Sequence, residues 1–179
     1  MRDELKKIIK KDAVFNEQIK LASGKISDFY VDLRKVTLNA RGLELIAKLI
    51  WPILEKDKIT AFGGPTMGAD PIVGGICYLS SLNKTPIKGF LVRKEQKQHG
   101  RCNSIEGPVL LKRDRIAVVD DVVTSGGSLI KAVLILREAG YKVVKAVSVV
   151  DREEGAKEAF DTIDCPLVSL YTKGDFNLK

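Results

Sequence analysis

The sequence predicts an α/β fold in which a mainly parallel central sheet is flanked by helices. Short apolar runs that are rich in β-branched residues alternate with segments of helical periodicity along most of the 179 residues. The clearest run, Ile116 to Val119, is typical of a strand that is buried on both faces. Strands that alternate with helices in this way form one parallel sheet with helical connections.

The individual elements follow from the spacing of apolar residues and from turn residues between them. The predicted helices cover 2–11, 39–55, 72–82 and 126–140, and the predicted strands cover 29–33, 58–62, 88–92, 116–119, 142–150 and 167–171. Asn39 is a suitable N-cap for the second helix, which Trp51 and Pro52 interrupt near its end. No periodicity is present from Arg93 to about Pro108, and a connection of this length in a compact domain is usually either a functional lid or disordered.

Composition is that of one globular domain that is large enough to bury its own core, with 45% hydrophobic and 30% charged residues. No apolar run approaches the roughly 20 residues that span a bilayer, so no membrane association is expected. The charged N-terminal residues do not read as a signal peptide. Cys77, Cys102 and Cys165 are scattered beside a single histidine, which argues against a zinc site and favours reduced cysteines in a cytoplasmic protein.

The net charge of +7 indicates an anionic partner. The segment from Lys84 to Arg101 contains six basic residues and one acidic residue, which gives it a local charge of +5. The segment lacks the interleaved aromatic residues of a platform for single-stranded nucleic acid. We therefore expect a small, highly charged anion such as a polyphosphate, and no nucleic-acid partner.

The chemistry of the chain is concentrated between Arg115 and Ser128, which read RIAVVDDVVTSGGS. Asp120 and Asp121, the acidic pair, follow the apolar strand, and the small-residue cradle over 124–128 then opens a helix near Gly126. N–H groups at a helix N-terminus bind phosphate, and glycine lets the backbone approach the ligand closely. Carboxylates accept hydrogen bonds from a sugar diol or lie near a metal. Together these features predict a ribose phosphate as the ligand.

Three segments of the chain resemble type I phosphoribosyltransferases. VVDDVVTSGG, residues 118–127, resembles the motif that binds phosphoribosyl pyrophosphate (PRPP) in these enzymes. LASGKISDFYVDLR, residues 21–34, is similar to the S-G-x-x-S-x-x-Y-x-D segment that forms a hood over the base in orotate phosphoribosyltransferases. Residues 93–100 are similar to the R-K-x-x-K-x-H-G catalytic loop of the same enzymes.

The resemblance implies a type I phosphoribosyltransferase fold in one domain over 1–179, with a small N-terminal hood over 1–35 and a core over 36–179. It implies transfer of 5-phosphoribose from PRPP to orotate, which gives orotidine 5′-monophosphate and pyrophosphate in de novo pyrimidine (UMP) biosynthesis. Mg²⁺ is the implied cofactor, held mainly through PRPP and with no certain protein ligand. A homodimer with shared active sites is also implied, because the catalytic loop in this family reaches over the neighbouring subunit.

Site residues carry over from the matching motifs. The implied catalytic residues are Lys97, Asp120 and Asp121. The implied PRPP-binding residues are Arg93, Lys94, Lys97, His99, Asp120, Asp121, Val122, Val123, Thr124, Ser125, Gly126, Gly127 and Ser128. The implied orotate-binding residues are Lys25, Tyr30, Thr124 and Arg152. The turn over 63–71 is expected to face the leaving pyrophosphate. Ala22 and Gly68 stand where some relatives carry lysine, so any positive charge must come from other residues.

Other functions are compatible with parts of the pattern. A phosphoribosyltransferase for another base, such as a purine, or a regulator with the same fold would share the PRPP motif, although the catalytic loop and the hood favour orotate. A signalling receiver domain also ends a strand in two acidic residues, but it needs a phosphoacceptor aspartate on a separate strand. The strand ends here offer Gly63-Gly64 and Arg93 instead. DNA binding would show itself as steep salt dependence.

Overall fold

A six-stranded sheet forms the centre of the computed structural model, which describes residues 1–15, 19–20, 26–27, 30–93 and 104–176. The helices are α1 (Arg2–Asp12), α2 (Arg34–Thr37), α3 (Ala40–Lys56), α4 (Asp70–Leu82), α5 (Gly127–Glu138) and α6 (Ala156–Thr162), with a 3₁₀ turn at Lys173–Phe176. The strands are β1 (Val14–Phe15), β2 (Ile19–Lys20), β3 (Ile26–Ser27), β4 (Tyr30–Val31), β5 (Ala61–Pro65), β6 (Lys88–Val92), β7 (Ile105–Glu106), β8 (Arg115–Val123), β9 (Lys142–Asp151) and β10 (Leu167–Thr172). The predicted α/β class is confirmed.

The strand order of the sheet is β10-β9-β8-β5-β6-β7, in which all neighbours are parallel except the edge pair β6 and β7. The chain builds outward from β5 to β6 and later outward from β8 to β10. The order therefore reverses between β5 and β8. In open parallel sheets, ligands bind in the crevice outside the carboxyl ends of the strands at such a reversal. The topology thus predicts a site beyond Pro65 and Val123.

Helices cover both faces of the sheet and divide the core in two. Strand β8 alternates between the two halves, because Ala117 and Val119 pack with α1, α3 and α4 while Ile116 and Val118 pack with α5 and α6. These four side chains are completely buried. The prediction of a strand that is buried on both faces is therefore confirmed. No helix in the described ranges combines the length and the apolar character that crossing a bilayer requires.

The N-terminal region adds two small antiparallel pairs, β1 with β4 and β2 with β3. Val14 lies opposite Val31, and the Asp32 N–H donates to the carbonyl of Ala13 at 2.9 Å. These pairs form the small hood that was expected at this end of the chain. The hood leads directly into α2, so that the short segment from Tyr30 to Arg34 lies at its border with the core.

Several predicted boundaries are wrong for identifiable reasons. Strand β8 does not end before the acidic pair, because its pairing with β9 continues through Val123. The strand predicted over 58–62 lies at 61–65, and the connection after Arg93 contains β7. Helix α3, in contrast, covers nearly the predicted range and continues through Pro52. Pro52 is tolerated because it lies on the exposed face of α3, where water can reach the carbonyl that it leaves unbonded. The sequence interpretation missed α2 and α6, which are only 4 and 7 residues long.

Candidate functional site

The acidic pair lies near the carboxyl end of β8, one of the two strands between which the strand order reverses. The Asp121 N–H donates to Asp120 Oδ1 at 3.0 Å, and the Val122 N–H donates to Asp121 Oδ1 at 2.8 Å. These short-range bonds hold both carboxyl groups at the strand end. Both groups line a central cavity of about 300 Å³, together with residues of the hood border and of the turn after β5.

Burial shifts the ionisation of Asp121. Desolvation raises the pKa of Asp121, although the hydrogen bonds from the Val122 N–H and from Asp120 and the positive charge of Arg34 oppose the shift. Burial destabilises the anionic form of this carboxyl group in the free protein. A cationic or hydrogen-bond-donating ligand would therefore stabilise that form strongly. The pair is therefore suited to bind hydroxyl groups or a metal ion.

The cradle over 124–128 joins the pair to helix α5. Gly126 has φ +77° and ψ 0°, a left-handed conformation that disfavours side chains, and it is the N-cap of α5. No side chain among the described residues caps this end of the helix, and the first N–H groups of a helix have no partner within the helix itself. A cavity of about 190 Å³ is lined by Asp120 and residues 122–129. Free N–H groups, the positive end of the helix dipole and small side chains together make a site for a phosphate group.

The turn after β5 closes the central cavity from the other side. Gly68 lies so near the acidic pair that a Cβ atom on it would be 2.3 Å from Asp120 Oδ1 and 2.4 Å from Asp121 Oδ1. Only glycine leaves both carboxylates in place. Thr66 and Met67 line the same cavity. The turn therefore brings its main chain, and no charged side chain, to the acidic pair.

Basic residues approach from the carboxyl end of β6. The Arg93 N–H donates to the carbonyl of Ser104 at 2.9 Å, and Arg93 Nη1 lies 3.6 Å from Glu106 Oε1. Arg93 lines a second cavity of about 300 Å³ together with Lys131 and Ser128, next to the cradle. Lys94, Lys97 and His99, which were predicted to bind the ligand, lie outside the described residues, as does Lys25.

Arg152 lies beside the cradle, because its N–H donates to the Val123 carbonyl at 2.9 Å across β8 and β9. Its side chain is only 5% exposed, and Nη2 lies 2.8 Å from Glu154 Oε1. Arg152 is thus a buried, ion-paired residue rather than a surface arginine. Tyr30 lines the central cavity, while Thr124 lines the cradle.

Sequence reasoning missed the two charged residues at the hood border. Asp32 and Arg34 both line the central cavity, opposite the acidic pair. Asp32 was visible only as the last residue of the hood motif, and Arg34 had no motif at all. Their place in the cavity depends on how the hood folds back on the core, which is a tertiary property that no local pattern reports.

Comparisons with known proteins agree with this geometry. The model of the phosphoribosyl transferase domain family matches residues 35–169. The chain is 44% identical over 173 residues to an orotate phosphoribosyltransferase of Aquifex aeolicus, covering 95% of this chain and 94% of that protein. It is 43% identical over 178 residues to one of Rhodopseudomonas palustris strain BisB18, covering 98% and 95%. A crystal structure of Mycobacterium tuberculosis orotate phosphoribosyltransferase in complex with PRPP is similar with a TM-score of 0.82 and 32% identity, covering 99% of both chains.

Proposed function

The chain belongs to the phosphoribosyl transferase family, among the orotate phosphoribosyltransferases, and on this premise we propose how its residues transfer 5-phosphoribose from PRPP to orotate. In this reaction the bond between C1′ and the pyrophosphate oxygen breaks, and the pyrophosphate leaves with the electron pair. Orotate N1 loses its proton and forms the new bond to C1′. The products are orotidine 5′-monophosphate and pyrophosphate, in the de novo route to UMP.

The observation that carries the mechanism is the continuity of the acidic pair with the cradle at the end of β8. A 5′-phosphate on the N–H groups of residues 124–128 would lie at the start of α5, and its own ribose would then reach Asp120 and Asp121. The carboxylates would accept hydrogen bonds from the 2′- and 3′-hydroxyl groups. Their negative charge would also stabilise the positive charge that develops on the ribose as the leaving group departs.

Mg²⁺ fits these residues as a metal that arrives with the substrate. The described residues contain no group of three or more His, Cys, Asp or Glu side chains that could hold a metal ion. Two adjacent carboxylates together with phosphate oxygens are, however, a common ligand set for this ion. We propose that the acidic pair faces it. When bound, the ion would neutralise charge on the pyrophosphate.

We propose that cations on the loop after β6 stabilise the negative charge that develops on the leaving pyrophosphate. Arg93 lines the cavity beside the cradle, which supports its assignment. The roles of Lys94, Lys97 and His99 are supported by their match to the family's catalytic loop. We propose that Lys97 contacts the pyrophosphate oxygens as the bond to C1′ breaks, and that the loop excludes water from the ribose cation.

Orotate is proposed to bind between Thr124, Tyr30 and Arg152, with help from Lys25. Arginine matches a carboxylate with two parallel hydrogen bonds, and Arg152 lies one strand away from the cradle. Because its guanidinium already pairs with Glu154, the carboxylate of orotate would exchange with that of Glu154.

The assay that tests the function follows the loss of orotate absorbance after PRPP and Mg²⁺ are added. The protein is expected to consume orotate and release one pyrophosphate for each orotidine 5′-monophosphate. A panel that includes adenine, guanine, hypoxanthine and uracil serves as the comparison. Turnover of a purine in preference to orotate would refute the assignment of the acceptor and leave the use of PRPP intact.

Replacing Arg152 with Ala is expected to weaken orotate binding at least about tenfold, because a buried guanidinium is lost from the carboxylate site. PRPP affinity should change less than about twofold. Calorimetric titration of each substrate gives both values. Glu154→Gln is the matched variant, since it removes the competing carboxylate and is expected not to weaken orotate. An equal loss for both substrates would contradict this role of Arg152.

Replacing Gly68 with Ala is expected to weaken PRPP binding at least about tenfold, because the added Cβ would displace both carboxylates of the acidic pair. Gly74→Ala is the matched control, since a Cβ on this residue of α4 meets nothing within 4 Å. That variant should bind PRPP like the wild type and gain up to about 1 kcal/mol of stability from helix propensity. Titration with PRPP and thermal unfolding check both variants, and normal PRPP affinity in Gly68→Ala would contradict the geometry.

A homodimer with shared active sites and a cytoplasmic location complete the proposal. Tyr78 and Leu82 of α4 are 69% and 61% exposed in the single chain, which supports burial of this helix against another subunit. Cys77 and Cys165 are free, which suits a reducing compartment.

A further inference from the structure

We propose that Arg34, held in place by Asp32, binds the pyrophosphate group of PRPP inside the central cavity. This inference rests on the proposed function, because it assumes that PRPP is the ligand of the acidic pair and the cradle. Arg34 belongs to neither the PRPP motif nor the catalytic loop. Its assignment comes from its position, its charge and the absence of an alternative cation among the described residues of the cavity.

The central cavity is short of positive charge. Three carboxylates line it, those of Asp32 and the acidic pair, and Arg34 is the one basic residue among the described residues that do so. A group with the charge of pyrophosphate would meet net repulsion there without cations. A divalent ion and the proposed cations of the loop after β6 supply part of that charge, and Arg34 adds to it from the cavity wall.

The turn after β5 cannot supply the charge. Gly68 lies against both carboxylates, and a side chain at this position would collide with them at 2.3 and 2.4 Å. Its neighbours on the cavity wall, Pro65, Thr66 and Met67, are uncharged. Among the described residues of the cavity, the basic side chain is therefore the one that α2 presents, and it would act beside the proposed cations of the loop after β6.

Asp32 orients the guanidinium. Its Oδ1 accepts hydrogen bonds from Arg34 Nε at 2.8 Å and from the Arg34 N–H at 3.2 Å. The bonds to Asp32 use Nε and the main-chain N–H, so binding Asp32 does not occupy the two Nη groups that would donate to phosphate oxygens. The Asp32 side chain is 19% exposed and the Arg34 side chain 47%. The carboxylate that holds the arginine is thus more deeply buried than the guanidinium, which solvent and ligands can reach. A preset side chain loses less conformational freedom when it binds its ligand.

The position of the ligand follows from the two cavities. The cradle and the central cavity share Asp120, Val122 and Ser128. With the 5′-phosphate on the cradle and the ribose on the acidic pair, the 1-pyrophosphate extends into the central cavity toward Arg34. The hydrogen bond and charge of Asp32 raise the pKa of Arg34, and the charge of Asp121 adds to the shift. The guanidinium and the Asp121 carboxyl group thus line the same cavity, where their charges interact.

The test measures binding of inorganic pyrophosphate and of PRPP, each with Mg²⁺, by calorimetry in Arg34→Ala, Arg34→Gln and Arg34→Lys. The Ala and Gln variants are expected to bind both ligands at least about tenfold more weakly than the wild type. The Lys variant should lose less affinity, because an ammonium group keeps the charge but lacks the planar pair of donors. Orotate affinity should stay within twofold of the wild type. Asp32→Asn is expected to give an intermediate loss, since it frees the guanidinium without removing it.

Lys35→Ala is the matched control, because Lys35 is the adjacent basic residue and its Nζ lies 4.3 Å from the ring centre of Phe15. This variant should bind pyrophosphate within twofold of the wild type. Pyrophosphate affinity that is unchanged in Arg34→Ala and Arg34→Gln would overturn the assignment, as would a loss confined to orotate. Binding is measured without turnover, so a wild type that is inactive on orotate would refute the proposed function and not the role of Arg34.

Discussion

Replacing Asp120 and Asp121 together with Asn is expected to lower kcat/KM for PRPP by at least about a thousandfold, or about 4 kcal/mol of transition-state stabilisation. Asparagine preserves the shape of each side chain but removes the charge that the ribose cation and the metal require. Steady-state assays over a range of PRPP concentrations measure the loss. Asp161→Asn on α6 removes one exposed carboxylate that lines neither the central cavity nor the cradle cavity, and it is expected to leave kcat/KM unchanged.

Stability should respond in the opposite direction from activity. Because burial raises the pKa of Asp121, its charged form is disfavoured in the folded protein at neutral pH, and Asn removes that cost. Thermal unfolding of the double variant at pH 7 is therefore expected to occur at or above the wild-type temperature. A large fall in Tm would mean that the pair holds the fold together, and the loss of activity would then say nothing about ribose binding.

The raised pKa also sets the sign of the pH dependence. As the pH falls, Asp121 takes up its proton at a higher pH than the value of about 3.9 for an ordinary aspartate. The free protein gains stability from this group as the pH falls through that raised pKa, and loses it as the pH rises. PRPP binding, which uses the carboxylate, weakens over the same range. Asp121→Asn should remove this part of the pH profile.

Replacing Lys97 with Ala is expected to reduce turnover by about 100- to 1000-fold while orotate still binds. The lysine charge is needed most in the transition state, where the pyrophosphate gains negative charge, so kcat should fall more than substrate affinity. Rapid-quench measurement of one turnover separates the chemical step from product release. Lys157→Ala removes an exposed lysine from α6 and serves as the control for net charge. Turnover within twofold of the wild type would remove Lys97 from the mechanism.

Mixing the two inactive variants tests whether active sites are shared between subunits. If Lys97 of one subunit serves the acidic pair of the other, a mixed dimer contains one site with both defects and one with neither. A mixture that is allowed to exchange subunits should then regain up to about a quarter of the wild-type activity. No recovery in mixed dimers that are verified by mass spectrometry would show that each subunit completes its own site.

Local patterns were sufficient for the centre of the fold. The β-branched run at 116–119 and the cap at Asn39 depend only on neighbouring residues, and Asn39 Oδ1 indeed accepts from the Arg41 and Gly42 N–H groups at 3.0 and 3.1 Å. The cradle is similarly local, since strand, turn and helix follow each other along the chain. Such features are set by side-chain periodicity and by the needs of a helix end.

Long-range contacts explain what the sequence could not predict. The extra length of β8 comes from its pairing with β9, which is distant in the chain. The close approach of Gly68 to the acidic pair arises where two neighbouring strands end side by side. The position of Arg34 depends on the packing of the hood, and Arg152 is buried although it follows directly after a strand end.

The strand order β9-β8-β5-β6 has a consequence for how the acceptor specificity of this protein could be changed. These four adjacent strands end, in turn, at Arg152, at the acidic pair with the cradle, at the turn beside Gly68, and at Arg93. Because neighbouring strands lie about 4.8 Å apart, these four strand ends form a row that spans about 14 Å from the first to the last. In the proposed mechanism the acceptor binds near one end of this row of strand ends and the departing group near the other. Substitutions at Arg152 are therefore expected to alter the choice of acceptor with little effect on the donor.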